Sequence, residues 1–270
     1  LDRQHRLAAT LDLEPGEAVA HLGGQRKRQA GLPGAILEPE RGAGEHARRA
    51  GRVQAMGGEL LIASARPGPM QSGMMKTVTL SDGRQLGADS FVFACGPWLG
   101  SLFPELLAAR LRVTRQEVYY FGTPAGDRRY APPALPVWAV FGDRLWYGIP
   151  GGERRGFKLA DDTHGPAFEP TAGERSIDEN GVRRARAFIS ERFPGLAAAP
   201  FTGGRVCQYT NTPDGDFIVD RHPEAGNLWL VGGGSGHGFK HGPALGELIA
   251  GQVLDRQPPT PAFGLARFTG

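Results

Sequence analysis

The feature that most constrains the fold is a glycine-rich loop near the C-terminus, set between two apolar segments. Residues 227–231, Asn-Leu-Trp-Leu-Val, predict a short buried strand, and residues 242–254 predict a helix. Between them, residues 232–238 contain five glycines in seven positions. Glycines allow positive φ angles and close backbone approach, and a helix N-terminus presents unpaired N–H groups. A strand, glycine loop and helix in this order are typical of a site that binds a phosphate or a flat cofactor, and a simple glycine-rich turn is the alternative. The site is not a P-loop, because the loop does not end in Gly-Lys-Ser/Thr.

A second apolar run and the segments around it predict the fold class. Residues 90–96, Ser-Phe-Val-Phe-Ala-Cys-Gly, form a continuous apolar run ending in glycine, which predicts a buried parallel strand. Aromatic and β-branched residues dominate 113–160, which favours several strands. Helical spacing at 45–56 and 177–193 predicts two more helices. We therefore expect an α/β fold plus an antiparallel β sheet.

Three shorter segments complete the interpretation of the N-terminal part. Residues 76–88 predict a hairpin with Asp82-Gly83 at its turn. The run Gly-Ala-Gly-Glu-His-Ala at 42–47 matches the dinucleotide fingerprint formally. No buried strand precedes that run, so we interpret it as a helix start. Residues 1–35 are polar and irregular, and we assign no element to them.

Composition excludes several classes of protein. No apolar run approaches the roughly 20 residues that cross a bilayer, and no signal peptide is visible. The 31 basic and 28 acidic residues give a net charge of +3, and the arginines are scattered, which favours a solvated surface over a nucleic-acid interface. The two cysteines leave one disulfide arithmetically open, but a reducing compartment is the simpler interpretation. We expect a cytoplasmic protein with no nucleic-acid or membrane partner.

Two motifs in the C-terminal part resemble a known family. They are Cys-x-Tyr-Thr-x-Thr-Pro-Asp at 207–214 and Ser-Gly-His-Gly-Phe-Lys at 235–240. Weaker matches lie at 33–42, 88–98, 146–150 and 156–165. Together these stretches resemble the D-amino-acid-oxidase-like flavoproteins. Within that family, they are most similar to the group of monomeric sarcosine oxidase and N-methyltryptophan oxidase. Only about the first 30 residues fall outside the resemblance.

The resemblance implies a FAD cofactor and roles for four side chains. In that group the cysteine of the first motif bonds covalently to the flavin, which here is Cys207. A thiolate beside cationic groups is a competent nucleophile for such a bond, and a buried inert cysteine is the alternative. Lys158 is implied to promote reaction with oxygen, because a cation stabilises developing negative charge. Tyr147 is implied to face the substrate, and the alternative is an aromatic side chain of the core. Lys240 is implied to help bind the substrate carboxylate, and the alternative is a lysine that is only a surface charge.

The resemblance also implies which residues line the cofactor. They are Gly96, Gly233, Gly234, Ser235, Gly236, His237, Gly238, Phe239 and Lys240, in addition to Cys207. His237 is equally typical of a hydrogen-bonded loop histidine, and Cys95, beside Gly96, is expected to pack in the core. No metal is expected.

The sequence departs from the family pattern in two places. The family's active-site histidine is replaced by Asp162, with His164 two residues on, so we expect substrate orientation to differ and do not assign sarcosine. The family's first strand, G-x-G-x-x-G loop and helix do not precede residue 1. We therefore expect a truncated chain, a fragment or one part of a split protein. In such a chain the strands at 90–96 and 227–231 would lose sheet neighbours, FAD affinity would fall, and self-association or a partner would compensate.

These arguments lead to one domain assignment and three functions. An incomplete Rossmann-like FAD-binding domain is expected from 36–112 and 207–270, and a mixed α+β substrate domain from 113–206, with 1–35 left as an uncertain part of the latter. The expected function is oxidation of the C–N bond of a secondary amine or N-methyl amino acid by hydride transfer to flavin, with O2 as acceptor. The alternatives are a non-catalytic remnant and an amine dehydrogenase that uses an electron carrier.

Overall fold

A computed structural model describes the backbone of residues 7–13 and 17–23, and residues 51–151 and 156–268 in full. The fingerprint match at 42–47, the family match at 33–42 and the first half of the helix predicted at 45–56 lie outside the described residues. Residues 51–55 of that helix are helical. The chain divides into two compact units. The first unit comprises Leu1–Leu111 and Thr210–Gly270, and the second comprises Arg112–Tyr209.

The elements are numbered in chain order. The strands are β1 (Leu7–Leu13), β2 (Glu17–Gly23), β3 (Gly58–Ala63), β4 (Ala65–Pro67), β5 (Met70–Gln71), β6 (Met74–Met75), β7 (Thr77–Leu80), β8 (Gln85–Gly87), β9 (Ser90–Ala94), β10 (Arg112–Phe121), β11 (Trp138–Val140), β12 (Trp146–Ile149), β13 (Phe157–Asp161), β14 (Phe201–Asn211), β15 (Ile218–His222) and β16 (Ala225–Gly232). The α-helices after residue 96 are α1 (Leu99–Leu102), α2 (Pro104–Leu107), α3 (Glu179–Arg192) and α4 (Gly242–Val253). No described helix is both long enough and apolar enough to span a membrane.

The first unit is built on a six-stranded sheet with the order β15-β16-β9-β1-β2-β3. Strand β9 lies between β1 and β16 and pairs in parallel with both, as predicted for the run at 90–96. The other pairs, β1–β2, β2–β3 and β15–β16, are antiparallel. The mixed sheet confirms the α/β prediction for this part of the chain.

Residues 7–23 correct two expectations from the sequence. We assigned no element to 1–35, and we expected the strand at 90–96 to lack a neighbour. In the structure β1 pairs with β9 over the register from Leu7 opposite Ser90 to Leu11 opposite Ala94. The segment contains few β-branched residues, so strand formation there depends on pairing with the neighbouring strands rather than on local propensity.

The core of the first unit lies on the two predicted buried strands. Phe91 and Phe93 on β9 are each 1% exposed, and their register partners Leu228 and Leu230 on β16 are fully buried. Both rows belong to one apolar cluster. Val92 and Trp229, the residues between these pairs, are also buried. Consecutive residues are thus buried on both strands, as expected where both faces of a sheet are covered. The hairpin of β7 and β8 is also as predicted, with Gly83 at a φ of 85° in its turn.

The second unit is a five-stranded sheet with the order β11-β12-β13-β10-β14. Strands β11, β12, β13 and β10 pair antiparallel in succession, which confirms the antiparallel sheet predicted from 113–160. Helix α3 begins after Asp178, whose carboxylate caps two backbone N–H groups. Ala185 and Ile189 of α3 are fully buried and join the same core as Phe157 and Leu159 of β13.

Candidate functional site

The glycine loop of the first unit follows β16 and has a strained, closely packed backbone. Gly233, Ser235 and Gly236 have positive φ angles of 70°, 44° and 84°. A Cβ at Gly233 would lie 2.6 Å from Cγ2 of Thr212 and 3.2 Å from the carbonyl oxygen of Asp216. Only glycine combines that φ with that space. The positive φ predicted for the loop is therefore present, and it brings the loop against the chain at 212–216.

Hydrogen bonds join the two sequence motifs to each other. The backbone N–H of Ser235 donates to the carbonyl of Thr210 at 3.0 Å, and the N–H of Thr212 donates to Oγ of Ser235 at 3.3 Å. The Ser235 hydroxyl donates to the Gly233 carbonyl at 3.2 Å. The hydroxyl of Thr212 donates to the Asp216 carbonyl at 2.8 Å. The motifs at 207–214 and 235–240, far apart in sequence, thus form one connected structure.

Gly96 lies at the same edge of the sheet as the glycine loop. Because β9 and β16 are parallel neighbours, the segments that follow them leave the sheet at one edge. Gly96 has a φ of 48° and opens a short 3₁₀ turn after β9. Cys95 is 3% exposed and packs in the core, as expected. The carboxyl ends of parallel strands are where α/β sheets bind ligands.

The end of the loop carries the predicted histidine, phenylalanine and lysine. His237 Nε2 lies 3.0 Å from the carbonyl oxygen of Gly215. Phe239 is 70% exposed. Lys240 is exposed, and its Nζ donates to the carbonyl of His237 at 3.3 Å. A 3₁₀ turn, Gly238–His241, stands between the loop and α4, and α4 begins at Gly242, as the sequence predicted.

Asp214 of the first motif forms an ion pair with Arg267 at 2.7 Å. The hydrogen bond from Arg267 lowers the pKa of Asp214 to about 2, and a backbone hydrogen bond from Asp216 acts in the same direction. The pair therefore connects the first motif to the C-terminal 3₁₀ turn, Leu265–Phe268.

The second unit holds Tyr147, Lys158 and Cys207 on one sheet. They lie on β12, β13 and β14 respectively. Lys158 Nζ is 5.3 Å from the centre of the Tyr147 ring, a cation–π contact. Burial raises the pKa of Tyr147. The resemblance implied separate catalytic roles for Tyr147 and Lys158, and the structure brings these two side chains into contact.

Cys207 is half-buried, and its surroundings act on the thiol in opposite directions. Arg205, Lys158 and Arg175 each favour the thiolate, but burial outweighs them and raises the pKa of Cys207. Cationic neighbours are therefore present, but desolvation disfavours the charged form of the sulfur more strongly than they favour it.

Tyr209 is a site residue that sequence reasoning did not single out. Its hydroxyl donates to Oδ1 of Asp162 at 2.6 Å. Burial and the bond to Asp162 raise the pKa of Tyr209. The signal was available: residues 207 and 209 lie two apart on a strand, so their side chains share a face.

The comparisons with known proteins agree with one another. A family model described as FAD dependent oxidoreductase matches residues 2–252. Peroxisomal sarcosine oxidase of Homo sapiens is 31% identical over 208 residues, 73% of this chain and 50% of that protein. N-methyl-L-tryptophan oxidase of Yersinia pestis (strain Pestoides F) is 32% identical over 190 residues, 67% of this chain and 48% of that protein. The chain spans about half the length of the curated relatives it matches.

Solved structures with the same fold include two from Aspergillus fumigatus. Fructosamine oxidase (Amadoriase II) superposes with a TM-score of 0.62 at 24% identity, over 74% of this chain and 50% of that one, and it supports the fold alone. Fructosyl amine:oxygen oxidoreductase (Amadoriase I) superposes with a TM-score of 0.59 at 26% identity, over 72% of this chain and 46% of that one.

Proposed function

Because the chain belongs to the family of FAD-dependent oxidoreductases, we propose that it serves in the oxidation of the C–N bond of a secondary amine or N-methyl amino acid, with O2 as electron acceptor. The observation that carries the proposal is the connection of the two motifs through Ser235, Thr210 and Thr212. Named relatives that oxidise sarcosine or N-methyl-L-tryptophan support the substrate class. Both cysteines are thiols, which supports our proposal of a reducing, cytoplasmic location.

The residues present fit a FAD group. The glycine loop has the positive φ angles that turn successive backbone groups towards one side, and a Cβ at Gly233 would collide with Thr212. We propose that Gly96 and residues 233–240 hold the cofactor by backbone contact. When bound, FAD supplies the acceptor for a hydride and the route by which electrons reach oxygen.

The proposed roles of the polar residues follow from their chemistry. Cys207 is the proposed point of covalent flavin attachment, and its raised pKa makes the thiol, not the thiolate, the resting form. Lys158 is proposed to stabilise negative charge as oxygen is reduced, since preorganised charges act most strongly where charge develops. Lys240 is proposed to bind a substrate carboxylate, which requires Nζ to exchange its bond to the His237 carbonyl.

The test is the visible absorption of the purified chain after incubation with FAD, repeated on the acid-precipitated pellet. We expect flavin absorbance to stay with the pellet. In Cys207→Ser it should move to the supernatant, whereas Cys95→Ala, a change at the only other cysteine, should keep it in the pellet. If the absorbance of the wild-type sample moves to the supernatant, FAD is bound but is not covalently attached. A chain that binds no FAD supports the non-catalytic alternative.

Lys158 distinguishes an oxidase from a dehydrogenase. Replacing it by methionine removes the charge and keeps an unbranched side chain of similar length. We expect Lys158→Met to slow reoxidation of the reduced flavin by O2 and to leave reduction by the amine much less affected. Unchanged oxygen reactivity supports instead the dehydrogenase that passes electrons to a carrier.

A further inference from the structure

Asp162 lies on the polar face of the sheet in the second unit. Tyr147 on β12 is the register partner of Ala160 on β13, so these two side chains share a face, and residue 162 continues the same row two positions further on. Phe157 and Leu159 alternate with this row and are buried in the core that contains residues of α3. Asp162 is half-buried, and its side chain therefore lies on the face away from that core.

Two hydrogen bonds hold Asp162 in place. Its N–H donates to the carbonyl of Leu145 at 2.7 Å, which extends the pairing of β12 with β13 by one residue. The Tyr209 hydroxyl donates to Oδ1 at 2.6 Å, and Tyr209 shares its strand face with Cys207. Burial raises the pKa of Tyr147, and the charge of Asp162 acts in the same direction. The carboxylate is therefore fixed beside Tyr209, on the surface that also presents Tyr147.

The carboxylate of Asp162 has one hydrogen-bond donor and no cation beside it among the described residues. No described lysine, arginine or histidine forms an ion pair with it, whereas the preceding Asp161 is paired with Arg144. An aspartate side chain is ordinarily ionised at neutral pH, and a carboxylate only accepts hydrogen bonds. Tyr209 supplies a donor to Oδ1. The group that would stabilise Oδ2 most is a cationic N–H donor, because charge-assisted hydrogen bonds are the stronger ones.

We infer that Asp162 is a specificity-determining residue, which binds the ammonium group of the amine substrate through Oδ2 while Tyr209 holds Oδ1. This role rests on the proposed function, since it specifies the form in which the amine substrate binds. Aliphatic amines, like the lysine side chain, are protonated at neutral pH. Asp162 contacts the ligand directly, whereas Tyr209 acts through Asp162 and is a positioning residue.

The other charges of this face direct a ligand cation towards Asp162. Lys158 lies four residues earlier on the same row, about 13 Å along the strand, and its Nζ is 5.3 Å from the centre of the Tyr147 ring. Burial raises the pKa of Cys207, but Arg205 and Lys158 act on its thiol as cations. Positive charge is therefore concentrated near Cys207 and Lys158. A ligand ammonium is repelled from that part of the face and attracted to Asp162.

The ammonium site can be tested on the full chain without cofactor by NMR. Tyrosine labelled with ¹³C at Cζ gives one resonance for each of the five tyrosines. Tyr209→Phe assigns the resonance of Tyr209, whose hydroxyl is bonded to Asp162. The probes are dimethylammonium chloride, its neutral isostere dimethyl ether, and sodium acetate, all at one ionic strength. In the wild type we expect a saturable shift of the Tyr209 resonance with dimethylammonium and none with dimethyl ether or acetate.

One substitution isolates the charge of the aspartate. Asp162→Asn keeps the size of the side chain and an oxygen that can accept from Tyr209, but it removes the negative charge. Dimethylammonium should then bind at least about tenfold more weakly, the effect of removing one nearby charge. Asp161→Asn is the matched control, because that carboxylate is paired with Arg144, and it should bind dimethylammonium as the wild type does. The comparison of the three probes in the wild type covers the case in which Asp162→Asn folds poorly.

The assignment is overturned if dimethylammonium gives no saturable shift of Tyr209, if dimethyl ether or acetate shifts it equally, or if Asp162→Asn binds dimethylammonium as tightly as the wild type. These outcomes are independent of the flavin experiment. A chain that binds FAD but fails this test keeps the proposed function and loses the ammonium site. A chain that passes this test but binds no FAD keeps the ammonium site and loses the proposed function.

Discussion

Thr212 donates its backbone N–H to Oγ of Ser235, 23 residues further along the chain, at 3.3 Å. This bond, with the reciprocal bond from the Ser235 N–H to the Thr210 carbonyl, holds the glycine loop against the end of β14. Ser235 has a φ of 44°, a conformation that costs a non-glycine residue about 1–2 kcal/mol. The hydrogen bonds therefore stabilise a loop shape that its own backbone disfavours.

The first prediction concerns Gly233, which should be the least replaceable glycine of the loop. Gly233→Ala adds a Cβ 2.6 Å from Thr212 Cγ2 at a positive φ, so the free energy of unfolding should fall by about 2–4 kcal/mol. Gly215→Ala is the matched control: its φ is also positive, but no atom lies within 4 Å of the added Cβ. Its cost should be about 1–2 kcal/mol. Equal losses in urea unfolding would contradict the close packing inferred for Gly233.

The second prediction concerns acid stability. Arg267 lowers the pKa of Asp214 to about 2 from 3.8, so the stability that this pair contributes is present above about pH 4 and is lost as the pH falls towards 2. Arg267→Gln should return the NMR-measured pKa of Asp214 towards its ordinary value and remove that part of the acid dependence of unfolding. Arg84→Gln removes the partner of the exposed Asp82 and should leave the Asp214 titration unchanged. An unshifted pKa of Asp214 in Arg267→Gln would refute the assignment.

The third prediction concerns the reactivity of Cys207. Because burial raises the pKa of its thiol, the pH profile of its alkylation by iodoacetamide should have a midpoint above that of a free cysteine. Lys158 favours the thiolate, so Lys158→Met should move the midpoint still higher. Peptide mass spectrometry separates Cys207 from Cys95, which is buried. A midpoint below that of free cysteine would show that the cations outweigh burial.

Local sequence predicted the parts of the fold that local chemistry determines. The runs at 90–96 and 227–231 are continuous and apolar, and both are buried strands of the sheet. Strands β1 and β2 were missed because their pairing with each other and with β9 determines them. The two-residue spacing from Cys207 places Tyr209 on the same strand face, but its partner could not be predicted, because its bond to Asp162 joins residues 47 apart in the chain.

Amine oxidation through FAD can be observed in the absorbance of bound flavin under anaerobic conditions. A secondary amine, such as an N-methyl amino acid, should bleach the oxidised flavin bands, and admission of O2 should restore them. Flavin that stays bound and oxidised in the presence of every secondary amine tried would show that the chain does not serve in amine oxidation.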